Sequence, residues 1–221
     1  MARNFRHSRS TSRNSRPTKS PKLKIVAYCE GQNTEPFFIK DFSMLYGNGL
    51  VSINCIPAAG CPVTIVDSCV TGKKNLEKIA KRSSDPLDKN FQVWAVFDRD
   101  QHPNITNAME KARANGIKIA YSNPCFEIWP YLHFANQTAS IHRHALQKKL
   151  EGVLDGYDRK SSKKIDLSLL YPQCNYDDAK NRAVSLMNKH HQEATNVVEA
   201  NPSTNVYKLF DLIIKNGKPT K

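Results

Sequence analysis

Several things are scarce in this chain of 221 residues, and each absence excludes something. No apolar run approaches the ~18 residues that span a bilayer, so an integral helical membrane protein is not expected. The start has no apolar segment of the secretory kind. Six cysteines form no Cys-x-x-Cys pair and are too sparse for a disulfide scaffold. They read as reduced, mostly buried thiols of a cytoplasmic protein. No Gly-x-x-x-x-Gly-Lys-Ser/Thr loop occurs, so ATP hydrolysis is not expected of this chain. His142-Arg143-His144 and His190-His191 lack zinc-ligand spacing with cysteine partners. No internal repeat is evident.

Acid is missing from one place in particular. Residues 1–22 carry Arg3, Arg6, Arg9, Arg13, Arg16, Lys19 and Lys22 and no Asp or Glu, so they hold +7 of the formal net charge of +13. With serines, Pro17, Pro21 and little to bury, this stretch is expected to be a disordered basic tail. Two roles are open to it: an arm that binds phosphates without sequence choice, or a solvated, solubilising tail. Its composition also resembles an organelle transit peptide, but its arginines face no apolar side. A surplus of this size points to a polyanionic partner and says nothing about fold. Lys73-Lys74, Lys148-Lys149, Arg159-Lys160 and Lys163-Lys164 are further basic pairs. Singly they are solvated faces; with the tail they make a track for nucleic acid.

What is present is an alternation of strands and helices. Leu23–Cys29, Val51–Ile56, Phe91–Phe97 and Ile117–Tyr121 are β-branched, apolar or period-two segments, read as four strands. Helices are expected between them: from a Thr34 cap with Pro36 in the first turn to near Gly47, from 63 to 82 with an interruption at Gly72, and over 104–115 before Gly116. That order argues for an α/β fold, a four-stranded parallel sheet flanked by helices. After residue 124 the segments 125–135, 139–151, 176–199 and 205–215 read as helical, around a polar stretch at 155–175. The expected organisation is a tail over 1–22, a catalytic core over 23–124 and a helical extension over 125–221 packed on the core.

In an open α/β sheet ligands bind at the carboxyl ends of the strands. Glu30 ends the first strand; Asp98 and Asp100 end the third. Residues i and i+2 of an extended chain point to one side, which aims both aspartates together and turns Arg99 away. If the two strands are neighbours, Glu30 faces them. Three clustered carboxylates repel by about 1 kcal/mol per pair in water and several-fold more in a cleft. A hard cation, Mg²⁺ or Mn²⁺, relieves that repulsion, activates water and stabilises a phosphodiester under attack. The plain alternative is that the aspartates cap the next helix and Glu30 is a loop acid.

Four motifs together resemble RloB-like proteins: Cys29-Glu30-Gly31-Gln32-Asn33-Thr34-Glu35-Pro36, Val96-Phe97-Asp98-Arg99-Asp100-Gln101-His102, Ser122-Asn123-Pro124-Cys125-Phe126-Glu127-Ile128-Trp129 and Asn201-Pro202-Ser203-Thr204. That family is placed in the Toprim superfamily and found in phage-defence loci. The resemblance implies a Toprim-like core with Glu30 as acid/base and metal residue and Asp98 and Asp100 as metal ligands. It implies a nuclease, an RNase cleaving tRNA, acting as toxic effector of an antiphage system beside an ATPase encoded nearby. The alternatives are a DNA nuclease of OLD type and a non-catalytic nucleic-acid-binding module.

Several other residues have two readings. Glu35 is an outer ligand or complements a helix start, and Glu127 is a second-metal or substrate-orienting group or a first-turn glutamate. His102 contacts phosphate or activates water. Trp129, Tyr131 and Phe134 are core, or stack on bases. His133 is a satisfied buried histidine. Asn201-Pro202-Ser203-Thr204 reads as a helix start with Ser203 or Thr204 as cap, and helix starts also bind phosphate.

Overall fold

The computed structural model describes residues 20–58, 60–99, 104–161, 163–171 and 174–218. The tail arginines Arg3, Arg6, Arg9, Arg13 and Arg16, and also Asp100 and His102, lie outside these residues.

The four expected strands are present as β1 (Leu23–Cys29), β2 (Val51–Pro57), β3 (Phe91–Asp98) and β4 (Lys118–Asn123). All four run parallel, in the order β2-β1-β3-β4. A fifth strand, β5 (Ser203–Thr204), pairs antiparallel with β4, so the sheet is five-stranded and mostly parallel rather than four-stranded. Ser203 and Thr204 were expected at a helix start. Instead the Thr204 hydroxyl meets Ser122 Oγ at 2.9 Å across the β4–β5 pair. Thr204 Oγ1 also accepts the Val206 N–H at 3.3 Å, just ahead of the last helix, so part of its capping role survives.

The centre of the sheet is buried on both faces, and the strand alternation shows how. Trp94 and Val96 of β3 face one core together with Ile25, Ala27 and Cys29 of β1. Val93, Ala95 and Phe97 face the other. Continuous apolar runs are what a strand buried on both faces needs. The second face is covered by α2 (Pro62–Arg82) and α4 (Ile105–Ala114), through Ile65, Val66, Cys69, Ile105 and Ala108. α2 runs unbroken through Gly72, against the expected interruption. A Cβ at Gly72 would collide with the Tyr28 hydroxyl of β1, so glycine here allows helix and strand to approach.

The first face is covered by α1 (Thr34–Tyr46), α5 (Ile128–Phe134), α6 (Arg143–Glu151), α8 (Tyr176–Gln192) and α9 (Tyr207–Gly217). Apolar residues one and four apart give α1 and α9 their buried stripes, Phe38, Ile39 and Phe42 against Leu209, Phe210 and Ile213. Phe42 and Phe210 meet at 4.4 Å between ring centroids, and Trp129 of α5 meets Phe210 at 5.4 Å. One hydrophobic core thus joins the strands to the helices that follow residue 124. Trp129 and Tyr131 belong to it, and Phe134 packs against it. His133 is buried there too, its Nδ1 3.0 Å from the Trp129 carbonyl and its Nε2 3.2 Å from the Tyr171 hydroxyl. Burial pushes its imidazole down to about 4. Two short helices, α3 (Pro86–Lys89) and α7 (Leu167–Leu170), complete the described elements; α7 sits inside the stretch expected to be polar.

Candidate functional site

β1 and β3 are neighbours, with Cys29 opposite Val96. This register carries Glu30 to the end of β3: its backbone N–H donates to the Val96 carbonyl at 2.9 Å, and its Oε2 accepts the Asp98 N–H at 3.0 Å. Asp98 falls on the same face of β3 as Trp94 and Val96, the face covered by α1. Arg99 points elsewhere and binds Glu199 Oε1 at 2.9 Å.

Two further acids complete the cluster. Glu35, in the first turn of α1, is 6% exposed, and Glu127, just before α5, is 3% exposed. A solvated role at a helix start does not describe either. Glu35 turns its carboxylate back over Gly31, where a Cβ would overlap its oxygens; glycine is the residue that lets it in. Glu127 Oε1 accepts from Gln147 Nε2 at 2.9 Å and from the Tyr157 hydroxyl at 3.1 Å. Thr34, expected to cap α1, lies within the helix and donates its hydroxyl to the Lys163 carbonyl at 3.2 Å, so it ties the 163 loop to this end of the sheet.

Glu35, Asp98 and Glu127 line a cavity of about 280 Å³, with Arg143 and Lys163 on its rim. Burial raises the Glu35 carboxyl to about 7, and the charges of Glu127 and Glu30 push the same way against its own N–H and that of Gly31. Burial raises Asp98 well above the carboxylate range, helped by Glu35, Glu127 and Glu30, while the Phe126 N–H opposes the rise. Two carboxyl groups, Glu35 and Asp98, held up in this way beside two further acids have the electrostatics of a candidate cation or proton site. The donors are all oxygen, which suits a hard ion such as Mg²⁺ or Mn²⁺. Among the described residues, no three such side chains already stand in a metal-holding arrangement.

The structure thus brings Glu30 and Asp98 together, and with them Glu35 and Glu127. Lys73 and Lys74 are not brought to this site. Lys73 Nζ donates to the Asn115 carbonyl at 2.7 Å, just before the amino end of β4, away from the strand ends that carry the acids. Gln147, Tyr157 and Arg143 were not singled out from the sequence. Each reaches the site from a segment remote in the chain, with no local pattern to mark it.

The family model described as RloB-like protein matches residues 25–213. No curated protein and no solved structure matches the chain. The matched span runs from β1 to α9 and holds all four clustered acids, and the chain belongs to the RloB-like family.

Proposed function

We propose that this protein is a metal-dependent phosphodiesterase of the Toprim kind, a ribonuclease that cleaves tRNA as the toxic effector of an antiphage system. The observation that carries the chemistry is the convergence of Glu30, Glu35, Asp98 and Glu127 at the carboxyl ends of parallel strands. Family membership and the positive net charge support the nucleic-acid substrate. The choice of tRNA and of an ATPase partner follows from the resemblance to defence effectors. The sequence has no ATP-binding loop of its own, so in this reading a separate chain supplies the ATPase.

Glu30 and Asp98 are the residues that would hold Mg²⁺ or Mn²⁺, with Asp100 and Glu127 as further oxygen donors. When bound, the ion supplies a water of lowered pKa and charge stabilisation for the phosphodiester. The protein's own groups do the rest. Glu35 exchanges a proton near neutral pH, as suits a general acid or base. Gln147 and Tyr157 fix the Glu127 carboxylate. Arg143 and Lys163 draw phosphate toward a rim that the acids alone would repel.

The test is cleavage of tRNA, total RNA and plasmid DNA, each with and without Mg²⁺ or Mn²⁺. Asp98→Asn and Glu35→Gln are expected to lower cleavage by at least ~100-fold in protein that still folds. Undiminished cleavage by both variants refutes the assignment; cutting of plasmid alone turns it to a DNA nuclease of OLD type. A second reading, which the positive net charge alone would support, is a binding module without catalysis. That reading requires no cleavage with any divalent ion, and tight binding that salt abolishes.

A further inference from the structure

Beside the acidic cavity lies a larger one of about 740 Å³, in the size range that takes a nucleotide-sized ligand. Three links in the chain hold the two side by side. Asp98 lines the acidic cavity and Arg99 the larger one; Phe126 and Glu127 line the first and Asn123 and Pro124 the second; Arg143 lines both. Their chemistry is opposite. The larger cavity carries Arg99, Arg143 and the rings of His142 and His144, whose centroids stand 5.1 Å apart at 47°. Its acid, Glu199, is engaged by Arg99.

The wall that carries the histidines is held in place. Asn201 pairs its side-chain amide with both backbone groups of Ile141: Nδ2 donates to the carbonyl at 3.1 Å, and Oδ1 accepts the N–H at 3.1 Å. His142 then caps α6, its Nδ1 accepting the His144 N–H at 3.3 Å. In the neutral ring this leaves the His142 proton on Nε2. Both histidines are exposed, so ring faces and a donor are presented outward from an anchored turn. Asn201, from the motif expected to cap a helix, serves here as the fastener.

We infer that this cavity receives one unpaired nucleotide of the nucleic acid whose neighbouring phosphodiester lies at the acidic cavity. Histidine rings and arginine guanidinium planes are surfaces on which splayed-out bases stack, and arginine pairs with phosphate oxygens. A base inside a duplex has both faces covered by its neighbours and offers none to such a wall. The acidic cavity repels phosphate, so a strand needs cationic and stacking contacts next to it to be held there at all. The inference rests on the nuclease reading for which bond is cut, but not for binding.

The test uses full-length protein in EDTA and an oligonucleotide carrying one 2-aminopurine, as a single strand and annealed into a duplex. The single strand is expected to bind about tenfold tighter than the duplex, with quenching of the 2-aminopurine as it stacks. His144→Ala should weaken single-strand binding about tenfold and reduce the quenching, and His144→Phe, which keeps a ring, should restore both. Equal affinity for strand and duplex, or an unchanged affinity and quenching in folded His144→Ala and His142→Ala proteins, overturns the inference. Cleavage with Mg²⁺ is scored separately. If the wild type cuts nothing while binding in EDTA still depends on His144, the nuclease reading fails and the nucleotide cavity stands.

Discussion

Glu35 shows at the scale of one residue how the site is held at a cost to the fold. Its carboxyl is raised from 4.5 to about 7 by burial and by the acids around it. Between those two values the folded protein keeps a proton that the unfolded chain has released, so stability falls as pH rises through the window. Below pH 4.5 the contribution is intact; above 7 the penalty is complete, on the order of 3 kcal/mol. Glu35→Gln removes a charge and keeps the shape. The variant should therefore unfold at a higher urea concentration than wild type at pH 8 and at nearly the same one at pH 5. A shift of equal size at both pH values would show that the charge is not what destabilises. Gly31 sets the same carboxylate from the other side, since any larger residue there would push it away.

At the scale of elements, Gly72 separates what sequence patterns can say from what packing decides. In the exposed interior of a helix, Gly→Ala gains about 1 kcal/mol of helix propensity. Here the new methyl would run into the Tyr28 hydroxyl across the α2–β1 contact. Overpacking of this kind costs about 1–3 kcal/mol, so Gly72→Ala should lower the midpoint of chemical unfolding. Adding Tyr28→Ala should recover most of the loss, a positive coupling in a double-mutant cycle. If the two changes simply add, the contact does not limit the helix. The glycine reads locally as a break because its partner lies on another element, outside any window of sequence. The same limit explains the rest. β1 and β3 were legible as nearly continuous apolar runs, β2 by its period-two alternation and β4 as a short β-branched and apolar segment, and the carboxyl ends of β1 and β3 picked out Glu30 and Asp98. β5 was not, because two residues hold no period to read. Glu127 and Glu35 look like ordinary helix-start acids until burial sets them against Asp98. Gln147, Tyr157 and Arg143 reach the site through tertiary contacts alone.

Over the whole molecule the charges are divided. A protein of net charge +13 gathers four acids at one end of its sheet and surrounds them with basic groups. Such a surplus attracts a polyanion over a distance, and it is screened beyond about 10 Å at 0.1 M salt. The basic residues of 1–22 add charge, so as a phosphate-binding arm they should contribute affinity and, in the proposed nuclease, not the position of cutting. Each phosphate it neutralises on a single strand steepens the fall of log affinity with log salt by about 0.7. Replacing Arg3, Arg6, Arg9, Arg13 and Arg16 with glutamine in the full chain should flatten that slope by up to about 3.5, weaken binding most at low salt, and leave the cleavage pattern unchanged. Titration of a labelled single-stranded RNA from 50 to 300 mM salt reads the slope directly. An unaltered slope makes the tail a solubilising segment and leaves nucleic-acid attraction to the rest of the protein, where Arg99, Arg143 and Lys163 stand beside the acids.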